Sequence, residues 1–80
     1  MTTLAITGAT GFVGGGLVQA CASRSDLRLK LLVRNPVAAA HLAGVNVTLH
    51  QGDLTDPESL RRFLAPGDTL VHLALRWVTL

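Results

Sequence analysis

Four short apolar runs alternate along the chain with stretches of helical spacing, and this alternation constrains the fold more than any other feature. The runs cover residues 4–7, 29–33, 45–50 and 69–74. Strands that alternate with helices pair in parallel, because each helix carries the chain back to the same edge of the sheet. The sequence therefore predicts an α/β fold with four parallel strands in the order 3-2-1-4.

Three helices are predicted between these strands. The first runs from residue 12 to about residue 22 and should bury a stripe made of Val13, Leu17, Ala20 and Cys21. The second begins at an Asn35 cap with Pro36 at its first position and ends at Gly44. The third is capped by Asp56, ends before Pro66 and should bury Leu60, Phe63 and Leu64.

Composition indicates one small packed domain. Of the 80 residues 49% are hydrophobic and 15% charged, which is typical of a globular interior and not of a disordered tail. The net charge of +2 is scattered, and there is no tyrosine, so a nucleic-acid partner is not expected. Nor is a membrane partner, because no apolar run approaches the roughly 20 residues of a spanning helix. A single cysteine offers neither an internal disulfide nor a metal site, and a cytoplasmic location is expected.

Between the first strand and the first helix lies a glycine-rich turn, residues 7–14, with the spacing G-x-x-G-x-x-G. Backbone N–H groups and the helix dipole at such a junction favour a pyrophosphate. Gly8 permits the tight turn, Gly11 leaves room for the phosphates, and Gly14 lets the helix pack closely. The alternative is a turn that only reverses the chain. We interpret the chain as a partial Rossmann fold that binds a dinucleotide.

Three motifs in order resemble those of the NAD(P)-dependent epimerase/dehydratase group of extended or atypical short-chain dehydrogenases/reductases. They are the glycine turn, the run Gly52-Asp53-Leu54-Thr55-Asp56, and Val71-His72-Leu73-Ala74. The resemblance implies that Asp53 and Leu54 contact the adenine, and that Leu73 and Ala74 line the cofactor near its ribose and nicotinamide. The alternative for Asp53 is a loop or capping carboxylate. His72 is interpreted as a strand residue.

The residue that follows the second strand favours NADP over NAD. An NAD site places an acidic residue there, whereas an arginine suits the 2′-phosphate of NADP, and this chain has Arg34. Backbone donors at the start of the second helix should converge on the same phosphate. NAD stays an alternative, as does a solvated arginine without a ligand. The predicted cofactor-binding residues are Gly8, Thr10, Gly11, Phe12, Val13, Gly14, Arg34, Asp53, Leu54, Leu73 and Ala74.

The acid/base pair that such dehydrogenases usually carry, Tyr-x-x-x-Lys, is not found in these residues. The sequence has no tyrosine, and its single lysine, Lys30, lies inside the second strand. No catalytic or metal-binding residue is therefore predicted. We expect residues 1–80 to be the N-terminal, NADP(H)-binding part of an oxidoreductase or epimerase whose substrate-binding part lies elsewhere. The alternatives are a non-catalytic NADP-sensing module and a fold without a ligand.

The fourth strand is expected to be an apolar edge. Its residues, from Leu70 to Leu75, show almost no polar alternation, which predicts burial on both faces. An unpaired apolar edge seeks another strand or chain. We therefore expect either self-association or a missing C-terminal segment to cover it.

Overall fold

The computed structural model describes residues 2–9 and 12–72, without the side chains of residues 12–14. Its elements are β1 (Thr2–Thr7), α1 (Phe12–Cys21), β2 (Leu27–Val33), a short 3-10 helix (Ala40–Leu42), β3 (Val47–Gln51), α2 (Pro57–Phe63) and β4 (Thr69–His72). The strands form one parallel sheet in the order β3-β2-β1-β4. The predicted α/β class and strand order are confirmed.

The larger core lies between α1 and one face of the sheet. Alternate residues of a strand point to the same face, so β2 sends Leu29, Leu31 and Val33 to this side. Leu29 and Leu31 are completely buried there, as is Ile6 of β1. Val18 of α1 packs against them.

A smaller core lies on the opposite face, under α2. It contains Ala5, Leu32 and Phe63, and Leu60 packs against it. Helix α2 begins as the sequence predicts: Asp56 caps it by accepting a hydrogen bond from the Glu58 N–H at 3.1 Å, and Pro57 follows. Because α1 and α2 cover different faces, the chain changes sides between β3 and β4, which places the switch point of the sheet between β1 and β4.

The prediction of a second α-helix, from Asn35 to Gly44, is wrong. Residues 36–39 form turns, and the following 3-10 helix is only three residues long. Asn35 does cap the segment, but Ala39 is its one fully buried residue, and Val37 is 85% exposed. A segment with so few apolar anchors gains too little from packing to offset the cost of helix nucleation.

The predicted burial of side chains is corrected at two helices. Among residues 15–21 of α1, whose side chains the structure describes, Val18 is buried and Ala20 is exposed, while Leu17 and Cys21 are half-buried on the same face. The predicted burial of Val13 lies outside the described side chains. In α2 Leu64 is 40% exposed, because the helix ends at Phe63 and Leu64 is already in an extended conformation. Both errors are shifts of one position around or along a helix.

Strand β4 is more exposed than predicted. Leu70 is 54% exposed, because it points to the face of the smaller core, which does not reach it. In the described chain β4 pairs with β1 alone, from Leu4 opposite Thr69 to Thr7 opposite His72. Residues 73 and 74 lie outside the described residues, and the self-association expected of this edge stays a prediction. None of the described helices is long and apolar enough to cross a membrane.

An ion pair ties β2 to the turn before β4. Lys30 donates to Asp68 at 2.5 Å, and both side chains are largely buried, at 15% and 9% exposed. The Lys30 ammonium also lies 5.3 Å from the centre of the Phe63 ring. The ion pair spans β1 at Ala5. In the sheet, Ala5 lies opposite Lys30 of β2 on one side and opposite Leu70 of β4 on the other.

We expect Asp68→Asn to lower the free energy of unfolding at pH 7 and to cost much less at pH 3. The hydrogen bond from Lys30, with a second one from the Ala65 N–H, lowers the pKa of Asp68 below its ordinary value. A carboxylate with a lowered folded-state pKa stabilises the fold above its unfolded-state pKa of about 3.9, and this stability is lost as the pH falls through the folded-state value. Urea unfolding at the two pH values measures the difference.

The matched control is Asp26→Asn. Asp26 pairs with Arg24 at 2.6 Å, but both side chains are more than half exposed, and such pairs contribute little to stability. Equal losses in the two variants at pH 7 would contradict a structural role for the Lys30–Asp68 pair.

Candidate functional site

The glycine turn joins a strand to a helix, as predicted. Strand β1 ends at Thr7 and α1 begins at Phe12. Gly8 has a φ of 79°, a left-handed conformation that favours glycine, which confirms its predicted role in the turn. Ala9 is buried, with 1% exposed. The turn therefore stands at the carboxyl end of β1, next to the switch point of the sheet.

Not every predicted residue of this turn can be placed. Thr10 and Gly11 lie outside the described residues. Phe12, Val13 and Gly14 form the first turn of α1, but their surroundings are not described. Their contacts with a cofactor stay predictions.

Arg34 directly follows β2 and is exposed. The backbone donors expected beside it are already used: the Asn35 side-chain oxygen accepts hydrogen bonds from the N–H groups of Val37 at 3.1 Å and Ala38 at 3.3 Å. Because no α-helix begins here, the prediction that a helix N-terminus shares a phosphate with Arg34 is wrong. The Arg34 guanidinium would have to bind a phosphate without the help of a helix N-terminus.

The loop after β3 is held rigidly by a side chain that sequence reasoning did not identify. The Ser59 hydroxyl, on α2, accepts a hydrogen bond from the Asp53 N–H at 3.0 Å. Its single proton is shared between the carbonyl oxygens of Asp53 and Asp56, each 2.9 Å away. Ser59 is 2% exposed. At the start of the loop the Gly52 N–H donates to the Val33 carbonyl at 2.9 Å.

Asp53 and Leu54 lie in this loop. One oxygen of the Asp53 carboxylate accepts a hydrogen bond from the Thr55 N–H at 3.0 Å, so the carboxylate stabilises the loop, as the capping alternative holds. Leu54 is 41% exposed, an apolar side chain on the surface of a polar loop. The predicted contact of both residues with adenine stays a prediction.

An open pocket of about 350 Å³ lies between Arg34 and this loop; Asp53 lines it, whereas Leu54 is not among its lining residues. It lies at the carboxyl ends of β2 and β3, which is where parallel α/β sheets bind their ligands. Its wall is polar and contains two arginines and two carboxylates; the lining residues are Arg34, Gln51, Gly52, Asp53, Asp56, Ser59 and Arg62. The structure thus brings Arg34 and Asp53 together, as a shared site requires, and adds Ser59 and Arg62 from α2.

His72 has a partner that the sequence did not reveal. Its Nδ1 lies 2.6 Å from the hydroxyl oxygen of Thr7, and the pair joins the carboxyl ends of β4 and β1. Thr7 is 2% exposed, so the contact fixes the imidazole at the rim of the switch point. Leu73 and Ala74, predicted to line the cofactor beyond it, lie outside the described residues. In the described ranges no group of His, Cys, Asp or Glu side chains could hold a metal ion.

A parallel 3-2-1-4 sheet, a glycine turn at the end of its first strand and a polar pocket beside the next two strands define a dinucleotide-binding protein of the Rossmann type. The family model described as NAD(P)H-binding matches residues 8–76. The chain therefore belongs to the NAD(P)H-binding family, and its cofactor is a nicotinamide dinucleotide.

Two curated proteins are similar to the chain. It is 39% identical over 74 residues to the sterol demethylase protein B of Methylococcus capsulatus, a match to 92% of this chain and 22% of that protein. It is 37% identical over 71 residues to the ceramide reductase of Caulobacter vibrioides, a match to 89% of this chain and 22% of that protein. The chain thus spans less than a quarter of the length of each.

Proposed function

We propose that the chain is the NADP(H)-binding part of an oxidoreductase of the short-chain dehydrogenase/reductase type, related to the epimerase/dehydratase group. The observation that carries the choice of NADP is Arg34, which follows β2 and lines the pocket. At this position a carboxylate would bind the ribose 2′-hydroxyl of NAD, and a guanidinium suits the 2′-phosphate of NADP.

The residues of the pocket fit the adenosine half of such a cofactor. A volume of about 350 Å³ is at the lower end of the range for ligand pockets. The pocket would therefore hold only part of the dinucleotide, and the rest would bind near the switch point between β1 and β4. Asp53, in the pocket lining, would offer an acceptor to the adenine amine, and Leu54, exposed in the same loop but outside that lining, would offer an apolar surface to the ring. The rigid Ser59 contacts hold this loop in place before the cofactor arrives.

The glycine turn would bind the pyrophosphate between the two halves of the cofactor. The left-handed conformation of Gly8 supports a tight turn here, and N–H groups at the start of α1 would then donate to the pyrophosphate. The nicotinamide, once bound, supplies a hydride from its C4 atom. The chain's own residues would then bind and orient the cofactor.

The name of one relative, a ceramide reductase, supports a reduction and leaves the substrate of this protein open. Most of this chain, residues 8–76, matches the NAD(P)H-binding family model. We therefore take reduction with NADPH as the proposed reaction of the whole protein, without assigning a substrate.

The direct test is titration of the full chain with NADPH and with NADH, followed by calorimetry or by the fluorescence of the reduced nicotinamide. One charge-assisted hydrogen bond contributes roughly 1.5 to 3 kcal/mol, so NADPH should bind about ten to a hundred times more tightly than NADH. Equal affinities would exclude the choice of NADP, and a chain that binds neither would refute the proposed function.

A further inference from the structure

A second arginine, Arg62, lines the pocket that follows β2 and β3. It belongs to α2 and lines the same pocket as Arg34. Ser59 and Arg62 are three residues apart on the helix, so they occupy the same helix face, and both line the pocket. The two arginines are 28 residues apart in the chain.

The position of Arg62 is fixed by the packing of its helix. Ser59 binds the loop after β3 through three hydrogen bonds of 3.0 Å or less. Phe63, the next residue after Arg62, is 1% exposed and packs into the smaller core with Leu32 of β2. The backbone that carries the Arg62 guanidinium is therefore held against β2 and β3 before any ligand binds.

The carboxylates and the arginines of the pocket differ in the partners that they already have. Asp56 accepts a hydrogen bond from the Glu58 N–H, and Asp53 accepts one from the Thr55 N–H. Arg61, the neighbour of Arg62, pairs with Glu58 at 2.6 Å. Within residues 2–9 and 12–72, neither Arg34 nor Arg62 has an ion pair or a side-chain hydrogen bond. Two guanidinium groups in the pocket are thus available to an anion.

The anion also needs more donors than Arg34 supplies. The N–H groups of Val37 and Ala38 are taken by the Asn35 side chain. A phosphate carries about two negative charges and three acceptor oxygens at neutral pH. A single exposed guanidinium satisfies at most part of that demand, whereas two guanidinium groups that line the same pocket can bind the group together.

We propose that Arg62 is a specificity-determining residue that binds the 2′-phosphate of NADP together with Arg34. The inference rests on the proposed function, since it assigns a second cation to the same site. Arg62 takes the place of the backbone donors that the segment after Arg34 does not offer. Its effect is confined to ligands that carry a phosphate on the 2′ position of the adenosine ribose.

The test compares 2′,5′-ADP with 5′-AMP as ligands of the full chain, by titration calorimetry. The two probes differ only in the 2′-phosphate and need neither the nicotinamide nor catalytic activity. In Arg62→Gln the affinity for 2′,5′-ADP should fall about tenfold while that for 5′-AMP stays unchanged. Arg61→Gln is the matched control, with the same change of charge one residue away, and should leave both affinities unchanged.

The outcomes separate this inference from the proposed function. A parent chain that binds the two probes equally would refute the NADP preference and the role of Arg62 with it. A parent chain that prefers 2′,5′-ADP, together with an Arg62→Gln variant that keeps the full preference, would overturn the role of Arg62 and leave the NADP site intact. Equal losses for both probes would also overturn it, because Arg62 would then act on another part of the ligand. Circular dichroism of each variant confirms that the fold is unchanged.

Discussion

Gly52→Ala should lower the free energy of unfolding by about 1 to 3 kcal/mol, the usual cost of overpacking a closely packed site. A Cβ at this position would lie 2.6 Å from the Leu32 Cδ1, 2.8 Å from the Ser59 Cβ and 2.9 Å from the Ser59 Oγ. The leucine methyl can move away. The serine cannot do so easily, because its Cβ is bonded directly to the Cα of α2 and its hydroxyl holds the loop at Asp53.

The loss is large relative to what a small core supplies, roughly 3 to 5 kcal/mol. Thermal unfolding should therefore begin well below the parent's melting temperature, by about 4 to 8 °C for each kcal/mol. The same change pushes α2 away from β3, so the affinity for the dinucleotide should fall as well. Circular dichroism during heating and a titration with NADPH measure the two effects.

Gly16→Ala is the matched control for this prediction. Gly16 lies within α1, and a Cβ added there would meet no atom within 4 Å. Alanine is favoured over glycine in a helix by about 1 kcal/mol, so this variant should be more stable than the parent. A Gly52→Ala variant as stable as the parent would contradict the close approach of α2 to the end of β3.

The sheet could be predicted from the sequence because strands buried on a sheet leave a strong signal. Residues 29–33 form a continuous apolar run apart from Lys30, and the structure places them at the centre of the sheet. Alternation with helices then fixed the parallel pairing, and the glycine turn identified β1. The cap at Asp56 could also be predicted, since an aspartate followed by proline has a specific role at a helix start.

The segment from Asn35 to Gly44 shows why the rest could not be predicted. Its cap and its proline are the same signals that correctly identified α2. What differs is the anchoring: α2 buries Phe63 in the smaller core, while Val37 points into solvent. Local signals describe how a helix begins, but packing decides whether it continues, and packing depends on elements that are distant in the sequence.

The site shows the same division between local and distant information. Arg34 could be identified because it directly follows the second strand, and Asp53 because the run from Gly52 to Asp56 resembles a motif of the epimerase/dehydratase group. Arg62 gave no such signal: beside Arg61 it is one of two similar residues on a polar helix face. Only the position of α2, set by Ser59 and Phe63, places Arg62 at the pocket.

Arg34→Asp should weaken the binding of NADPH by about ten- to a hundredfold. The variant removes a charge-assisted hydrogen bond and places a carboxylate beside a phosphate. The binding of NADH should not weaken, because a carboxylate at the end of the second strand is the usual acceptor for the ribose 2′-hydroxyl. The preference between the two cofactors should therefore shrink or reverse, which titration of the variant with each of them would measure.

The control for this charge change lies on the same strand. Arg28 follows Leu27 near the start of β2, is exposed, and has no ion pair in the part of the chain that the structure describes. Arg28→Asp changes the net charge as much as Arg34→Asp does, but at the opposite end of the sheet. Since long-range attraction between exposed charges is screened beyond about 10 Å at 0.1 M salt, only the variant at the carboxyl end should lose affinity. Equal losses in the two variants would mean that NADPH responds to the overall charge of the chain and not to a guanidinium beside its 2′-phosphate.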